Sequence, residues 1–279
     1  MYPAPFEYLR PATLDEAIAM LKTHGEDAKV LAGGHSLIPA MKLRLAQPRF
    51  IVDIGRIRGM SHIRESGGRI VVGAMATHYA IESSPLLREK CPLLPETAGH
   101  IGDVQVRNKG TIGGSLAHAD PAGDWPAAVL ALDAEIELAG PRGRRTVKAD
   151  GFFVDLLQTA IAPDEVLVEI RVPVTSAKVA YEKTEQKASG FAIVGVAVVV
   201  EQGGVRVGVT GVSATAYRAK AVERSLAGQA SPSAEAIARA AALAAERVEA
   251  LGDMHASPEF RLHLAEVNTA RALRRAYGI

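Results

Sequence analysis

The chain has 279 residues, a balanced charge and a single cysteine. Its length suits one large domain or two ordinary ones, and its 48% apolar and 23% charged residues are typical of a globular protein rather than a disordered one. The formal net charge of +1 gives no general attraction to nucleic acid, so we expect no nucleic-acid partner. Cys91 alone excludes an internal disulfide and a four-cysteine zinc or iron–sulfur site, and it indicates a reducing, cytoplasmic location.

The N-terminal segment and the apolar runs predict no targeting or membrane segment. Residues 1–11 lack the basic stretch and following apolar run of a signal peptide. The longest apolar run, residues 191–200, is about half as long as a helix that crosses a bilayer. We therefore interpret this run as a buried strand and expect no integral membrane segment.

Residues 1–55 predict a compact unit of strands and helices. Thr13 and Glu16 have the spacing of a capping box, and apolar residues at helical spacing follow until Gly25, which is suited to end a helix. After this helix come a strand, a short helix or irregular turn, and a second strand, at residues 29–31, 37–45 and 49–54.

Residues 56–175 predict a mixed region with a different organisation. Segments rich in Val and Ile predict strands at residues 69–76, 134–139 and 165–172. A turn is predicted at residues 140–143, directly after the second of these strands. Helices are predicted near residues 80–90 and 125–132. This order is not the regular strand–helix alternation of a doubly wound sheet, so the predicted class is α+β.

Residues 176–279 predict a smaller domain after a boundary near residues 173–177. Strands at 191–201 and 205–213 flank a Gly-Gly turn and predict a hairpin. Two helices are predicted to begin at Ser231-Pro232 and Ser257-Pro258, with proline in the first turn, and the first of them is expected to continue to Leu251.

Two segments combine paired glycines with hydroxyl residues, and each is expected to follow the end of a strand. They are Leu31-Ala-Gly-Gly-His-Ser-Leu37 and Thr111-Ile-Gly-Gly-Ser115. Glycines let consecutive backbone N–H groups approach an anion, so the two segments together suggest a ligand whose diphosphate is bound from both sides. Simple tight turns are the alternative, because glycine supplies 26 of the 279 residues. Neither segment is a G-x-G-x-x-G or Walker A motif, which disfavours a Rossmann NAD site and a P-loop NTPase.

These segments and their flanks resemble the FAD-binding medium subunit of the molybdenum hydroxylases, the flavoprotein of aerobic carbon monoxide dehydrogenase and xanthine dehydrogenase type. The further matching segments are residues 6–11, 72–78, 105–110, 120–124 and 181–183. The resemblance implies a two-part FAD-binding domain of the vanillyl-alcohol-oxidase/PCMH type over residues 1–175, divided into 1–55 and 56–175. A small C-terminal domain of a β-sheet and helices, as in carbon monoxide dehydrogenase flavoproteins, is then expected over residues 176–279.

The resemblance also implies how FAD is bound. The residues expected at the pyrophosphate are, on one side, Ala32, Gly33, Gly34, His35 and Ser36 and, on the other, Thr111, Gly113, Gly114 and Ser115. Asp124 is expected near the adenosine end, where a carboxylate can accept hydrogen bonds from ribose hydroxyls. Leu167 is expected as a backbone contact near the ring system, and Lys183 near the flavin, where a cation would stabilise the reduced anion.

Phe191 matches an aromatic position beside the isoalloxazine, and ordinary core packing is the alternative role for it. The chain departs from the family pattern nearby, because Gln186-Lys187 and Gly190 stand where many relatives have Arg-Arg and Asp. These departures affect the expected flavin edge and leave the pyrophosphate segments unchanged.

The implied function is electron transfer: FAD would take electrons from [2Fe–2S] clusters of a partner subunit and pass them to an external acceptor. The implied partners are a large molybdopterin subunit and a small [2Fe–2S] subunit, assembled as a dimer of heterotrimers. We expect no catalytic residue and no metal ligand on this chain, because His78, His100 and His118 lack the spacing of a metal site. The alternatives are a stand-alone FAD-dependent oxidase or reductase and a scaffolding protein that keeps the fold without FAD.

Overall fold

The computed structural model describes residues 1–279 and contains fourteen strands and eleven α-helices. The strands are β1 Glu7–Leu9, β2 Ala28–Leu31, β3 Phe50–Asp53, β4 Ile63–Ser66, β5 Arg69–Gly73, β6 Glu135–Gly140, β7 Gly143–Lys148, β8 Phe153–Asp155, β9 Gln158–Thr159, β10 Val166–Pro173, β11 Lys178–Glu185, β12 Ala192–Glu201, β13 Gly204–Thr210 and β14 Tyr217–Arg218. The helices are α1 Leu14–His24, α2 Leu37–Lys42, α3 His78–Glu82, α4 Pro85–Lys90, α5 Leu93–Gly99, α6 Val104–Lys109, α7 Ile112–His118, α8 Trp125–Ala131, α9 Lys220–Ser225, α10 Ala234–Ala241 and α11 Pro258–Tyr277. None of these helices combines the length and the apolar composition needed to span a bilayer.

The first sheet is parallel, in the order β1-β3-β2. Because the strands are parallel, the segments that follow them all leave from one edge, which we call the carboxyl edge. The predicted helix α1 is confirmed: Thr13 Oγ1 accepts a hydrogen bond from the Glu16 N–H at 3.2 Å, and Gly25 is the C-cap. Glu16 Oε2 reaches back to the N–H of Ala12 at 2.7 Å, one residue before the position of an ordinary capping box.

The second sheet is antiparallel, in the order β4-β5-β10-β6-β7. Its central strand β10 is almost entirely buried and has a bulge between Leu167 and Glu169. The core between this sheet and the surrounding helices includes the fully buried Trp125 and Phe152. Parallel crossovers are confined to the small first sheet, whereas the larger second sheet is antiparallel with helices packed beside it, which confirms the predicted α+β class.

The third sheet has the order β11-β12-β13-β14 and lies between α8 on one face and α10 and α11 on the other. Strands β12 and β13 form the predicted hairpin, with Val200 opposite Val205. Gly208 lets β13 approach α8 closely, because an added Cβ would overlap the carbonyl oxygen of Ala127. The third sheet is thus packed directly on the helix that follows the second glycine segment.

The predicted start and end of one C-terminal helix are wrong. Helix α10 is capped by Ser233, whose Oγ accepts from the Ala236 N–H at 3.2 Å, and not by Ser231. It ends at Ala241 instead of continuing to Leu251, and the turns after it pass through Arg247, whose φ of +59° is incompatible with a continued right-handed helix. The start of α11 at Ser257-Pro258 is confirmed.

Candidate cofactor site

The first glycine loop, residues 32–36, follows β2 at the carboxyl edge, as expected. None of its five backbone N–H groups has a hydrogen-bond partner in the protein, although the loop is only partly exposed. Gly34 has φ of +78°, a left-handed conformation that turns the chain towards α2 and that favours glycine. A run of unpartnered N–H groups in a turn is a binding site for anionic oxygens.

The second glycine segment, residues 111–115, is not the strand-end loop that the sequence suggested. It follows α6 and opens α7, with Thr111 as the N-cap whose Oγ1 accepts from the Gly114 N–H at 3.1 Å. The N–H groups of Ile112 and Gly113 donate to the carbonyls of Ala76 and Ala74 at 3.1 and 2.9 Å. These three N–H groups are therefore already used, and this segment offers the Ser115 hydroxyl and a glycine surface rather than a second run of free donors.

The two glycine segments lie against each other. A Cβ added to Gly33 would overlap the carbonyl oxygen of Lys109 and stand 2.9 Å from the Cα of Gly110. A Cβ added to Gly114 would stand 3.5 Å from the Cβ of Ala32. The segments thus meet where the first sheet adjoins the second, as a diphosphate bound between them requires.

His78 lies directly behind this contact. Its backbone N–H donates to the Gly110 carbonyl at 3.0 Å, and its Nδ1 accepts from the Trp125 Nε1–H at 3.1 Å. Burial, with smaller contributions from His35 and Arg107, lowers the pKa of His78 from 6.5 to about 4. His78 is therefore a neutral interior histidine that joins the second segment to α8, and it is not solvated.

Asp124 and Lys183 form a buried ion pair at the start of α8. Lys183 Nζ lies 2.9 Å from Asp124 Oδ1, and the two side chains are 1% and 5% exposed. The same oxygen accepts from the Tyr181 hydroxyl at 2.5 Å, and Lys183 also donates to the His100 carbonyl at 2.7 Å. Asp124 was expected at the adenosine end and Lys183 at the flavin. An extended dinucleotide cannot have both ends at one ion pair, so the two expected roles are not compatible.

The sequence did not reveal how Tyr181 is held. Its backbone N–H donates to Glu96 Oε1 at 2.7 Å, its carbonyl accepts from Arg275 at 2.9 Å, and Arg275 also pairs with Glu96. Gly195, inside an otherwise apolar strand, was the available signal, because a Cβ there would overlap the Tyr181 hydroxyl. Burial raises the pKa of Asp124 and, more strongly, that of Tyr181, so the phenol stays protonated and donates.

Leu167 and Phe191 lie on different sides of the site. Leu167 is buried in β10 opposite Leu138, and the carbonyl of the next residue, Val168, accepts from Ala74, which contacts the second glycine segment. Phe191 is 49% exposed at the tight turn before β12, so the core-packing alternative for it is wrong.

The sequence also did not reveal a basic cavity of about 640 Å³ at the carboxyl edge. It lies next to the segments that follow β1 and β3, and Val168 and Glu169 of β10 form part of its wall. The basic side chains that line it are Arg10, Arg56, Arg58, His62 and Arg144. The pair Arg56 and Arg58 directly after a strand was the only signal in the sequence.

Known proteins match this chain along its whole length. The family model "FAD binding domain in molybdopterin dehydrogenase" matches residues 4–175, and "CO dehydrogenase flavoprotein C-terminal domain" matches residues 179–276. The carbon monoxide dehydrogenase medium chain of Hydrogenophaga pseudoflava is 43% identical over 100% of this chain and 99% of its own length. The nicotine 6-hydroxylase medium subunit of Paenarthrobacter nicotinovorans is 35% identical over 93% of each chain.

Solved structures agree with these matches. A chain of the Hydrogenophaga pseudoflava carbon monoxide dehydrogenase that lacks the Mo-pyranopterin moiety superimposes with a TM-score of 0.96 at 44% identity, over 100% of this chain and 99% of that one. A chain of quinoline 2-oxidoreductase from Pseudomonas putida 86 gives 0.93 at 33% identity, with the same coverage.

The two-part fold with adjoining glycine segments, followed by a docked C-terminal domain, defines a class of FAD-binding oxidoreductase components. The residues present fit FAD, because the free N–H groups of the first loop can bind its diphosphate and Gly33 keeps the two segments in contact. The chain belongs to the molybdenum hydroxylase family as its FAD-binding medium subunit, which works with a large and a small subunit.

Proposed function

We propose that this subunit binds FAD with the diphosphate on the first glycine loop and uses it to pass electrons from a partner's [2Fe–2S] clusters to an external acceptor. The observation that carries the proposal is the run of five unpartnered N–H groups at residues 32–36, in contact with the second segment. The hydroxyls of Ser36 in the first loop and Ser115 in the second segment add hydrogen-bond donors. Gly34 provides the turn of the first loop, and His35 lies next to it in the same loop. Bound FAD can store one or two electrons, which suits transfer between one-electron clusters and a two-electron acceptor.

We place the flavin end of FAD at the Asp124–Lys183 pair and the adenosine end towards the basic cavity. The second segment lies between these places: Gly113 is bonded to Ala74 on the cavity side, and Thr111 is bridged to Thr77, beside the buried His78. A buried cation at Lys183 would stabilise the negative charge of reduced flavin. In this orientation Leu167 lies at the adenosine end, and the exposed ring of Phe191 lies on the flavin side.

We propose that the subunit assembles with a large molybdopterin subunit and a small [2Fe–2S] subunit as a dimer of heterotrimers in the cytoplasm. The near-complete alignments with medium subunits of multi-subunit enzymes support the assembly. The free, buried thiol of Cys91 is compatible with a reducing compartment. The substrate is determined elsewhere in the complex, since the proposed role of this chain ends at the flavin.

Substitution at Gly33 tests the pyrophosphate assignment. Gly33→Ala inserts a methyl group into the carbonyl of Lys109 and forces the two segments apart, so we expect FAD affinity to fall by about tenfold or more. Gly151→Ala is the matched control, because nothing lies within 4 Å of its added Cβ. Equilibrium titration of the FAD-free chain measures both. Unchanged affinity in Gly33→Ala would place the diphosphate elsewhere.

Addition of FAD to the isolated FAD-free chain also separates the alternatives. We expect the chain to bind FAD and to accept electrons from a reduced iron–sulfur partner, without oxidising an organic substrate by itself. Turnover of a substrate by the isolated chain would support a stand-alone oxidase or reductase. A colourless chain that takes up no added FAD would support a scaffolding role.

A further inference from the structure

Three arginines at the basic cavity have no ion-pair partner. Arg10, Arg56 and Arg58 line the cavity, and none of them lies within 4.0 Å of a carboxylate, whereas Arg144 pairs with Glu137 at 3.0 Å. The nearby Asp53 is already engaged by the Tyr8 hydroxyl and by the Gly55 N–H. The whole chain has a net charge of only +1, so this is a local concentration of uncompensated positive charge.

The cavity opens at the same edge as the diphosphate loop. Arg10 follows β1, Arg56 and Arg58 follow β3, and the first glycine loop follows β2, so all leave the carboxyl edge of one parallel sheet. The cavity wall is joined to the second glycine segment by two successive hydrogen bonds, through Ala74. An anion attracted to the cavity is therefore attracted to the sheet edge at which the free N–H groups lie.

The arginines are too exposed to act as a bound anion's main ligands. All three are solvent-exposed, and long exposed side chains lose conformational entropy when they are fixed on a ligand. The fixed N–H groups of residues 32–36 can donate hydrogen bonds to the anionic oxygens of a diphosphate once it is bound. A cluster of exposed like charges acts at longer range, over about 10 Å at 0.1 M ionic strength and about 30 Å at 0.01 M, and raises the rate of encounter with an oppositely charged ligand.

We propose that Arg10, Arg56 and Arg58 form an electrostatic capture site that accelerates the association of the dianionic cofactor without holding it afterwards. The inference rests on the proposed function, because it takes FAD as the ligand and the first glycine loop as its destination. It assigns to these three side chains a kinetic role that is separate from the equilibrium contacts of the loop.

The test compares two triple variants with the same change in net charge. The first is Arg10→Gln/Arg56→Gln/Arg58→Gln, and the matched control is Arg239→Gln/Arg271→Gln/Arg274→Gln, which removes three exposed arginines that are also unpaired, from α10 and α11. Stopped-flow mixing of FAD with the FAD-free full chain gives association and dissociation rates from flavin fluorescence. Circular dichroism verifies that each variant is folded.

We expect the association rate of the first variant to fall about tenfold at low salt, with an unchanged dissociation rate, while the control stays within about twofold of the unsubstituted chain. Raising the salt concentration should remove most of the difference, because screening weakens the field of the arginines. The unsubstituted chain supplies a second measurement that needs no variant: its association rate should fall steeply with salt.

Two results would overturn the inference. One is an equal loss of association rate in both triple variants, since the net charge of the chain, rather than the position of these three arginines, would then explain the effect. The other is a faster dissociation with unchanged association, which would make the arginines ordinary contacts. Failure of the unsubstituted chain to bind FAD would instead contradict the proposed function, so the two failures are distinguishable.

Discussion

At the scale of single residues, His78 gives the folded chain a defined dependence on pH. Burial lowers its pKa to about 4, whereas the unfolded chain has the ordinary value near 6.5. Between these values the unfolded state binds a proton that the folded state does not bind, so the free energy of unfolding falls as the pH is lowered. The expected slope from this one group is about 1.4 kcal/mol per pH unit. Above about pH 6.5 the histidine is neutral in both states, so it no longer lowers the free energy of unfolding.

His78→Asn should remove this contribution. The amide oxygen of Asn can still accept the Trp125 Nε1–H, and it does not titrate. Urea unfolding of the FAD-free chain at several pH values between 4.5 and 7, a range set by the two pKa values, should give a shallower slope for the variant. His263→Asn changes an exposed histidine and should keep the original slope. Equal slopes for His78→Asn and the unsubstituted chain would contradict a neutral His78.

At the level of elements, two nearby serines, Ser231 and Ser233, test which residue caps α10. Ser233→Ala removes the acceptor of the Ala236 N–H and should lower the free energy of unfolding by about 1 kcal/mol. Ser231→Ala, two positions earlier, removes no hydrogen bond and should change it by less than about 0.5 kcal/mol. Denaturant titration compares the two variants, and an equal or larger cost at Ser231 would refute the observed cap.

Elements were predicted correctly where their start, end or turn depends only on residues that are neighbours in the sequence. The capping box at Thr13, the turn between β12 and β13, and the start at Ser257-Pro258 each depend on neighbouring residues and are confirmed. Ser231-Pro232 carries the same signal as Ser257-Pro258, yet the helix is capped two residues later, at Ser233, and Pro232 is buried outside the helix.

The candidate site shows the same division between local and distant information. The first glycine loop was predictable, because its free N–H groups follow from a strand end and a Gly-Gly pair. The use of the N–H groups of the second segment was not, because the acceptors at Ala74 and Ala76 are about forty residues away in the chain. The Asp124–Lys183 pair likewise joins two domains, and no spacing rule connects residues so far apart.

At the scale of the whole molecule, the third sheet is docked on the segment that leads into α8. Thr210 Oγ1 lies 2.7 and 2.9 Å from the carbonyl oxygens of Pro121 and Gly123, which share its one hydroxyl proton, and the Ala192 N–H donates to the Ala122 carbonyl at 3.1 Å. The ion pair of Asp124 follows directly along the chain, so the C-terminal domain supplies the cation for a carboxylate of the FAD-binding domain. The proposed flavin end is therefore complete only when the two domains are in contact.

This interdomain pair should behave as a buried pair. Lys183→Met leaves the buried carboxylate of Asp124 without its cation and should cost about 3–5 kcal/mol of unfolding free energy in the FAD-free chain. Adding Asp124→Asn removes the unpaired charge while keeping an acceptor for Tyr181, so the double variant should recover most of the loss. The deficit of Lys183→Met should also shrink as the pH is lowered, because burial raises the pKa of Asp124 and the protonated acid needs no partner.

The pair Lys220–Asp150 provides the control for this double-variant cycle, since it also joins the two domains but has side chains 59% and 48% exposed. Lys220→Met should cost no more than about 1 kcal/mol, because solvent screens an exposed pair. The four variants to compare are Lys183→Met, Asp124→Asn, their combination and Lys220→Met. Denaturant titrations of all four, at neutral and at acid pH, complete the measurement. If the losses of Lys183→Met and Asp124→Asn simply add in the double variant, the two residues do not interact, and the proposed flavin end is not assembled across the domain boundary.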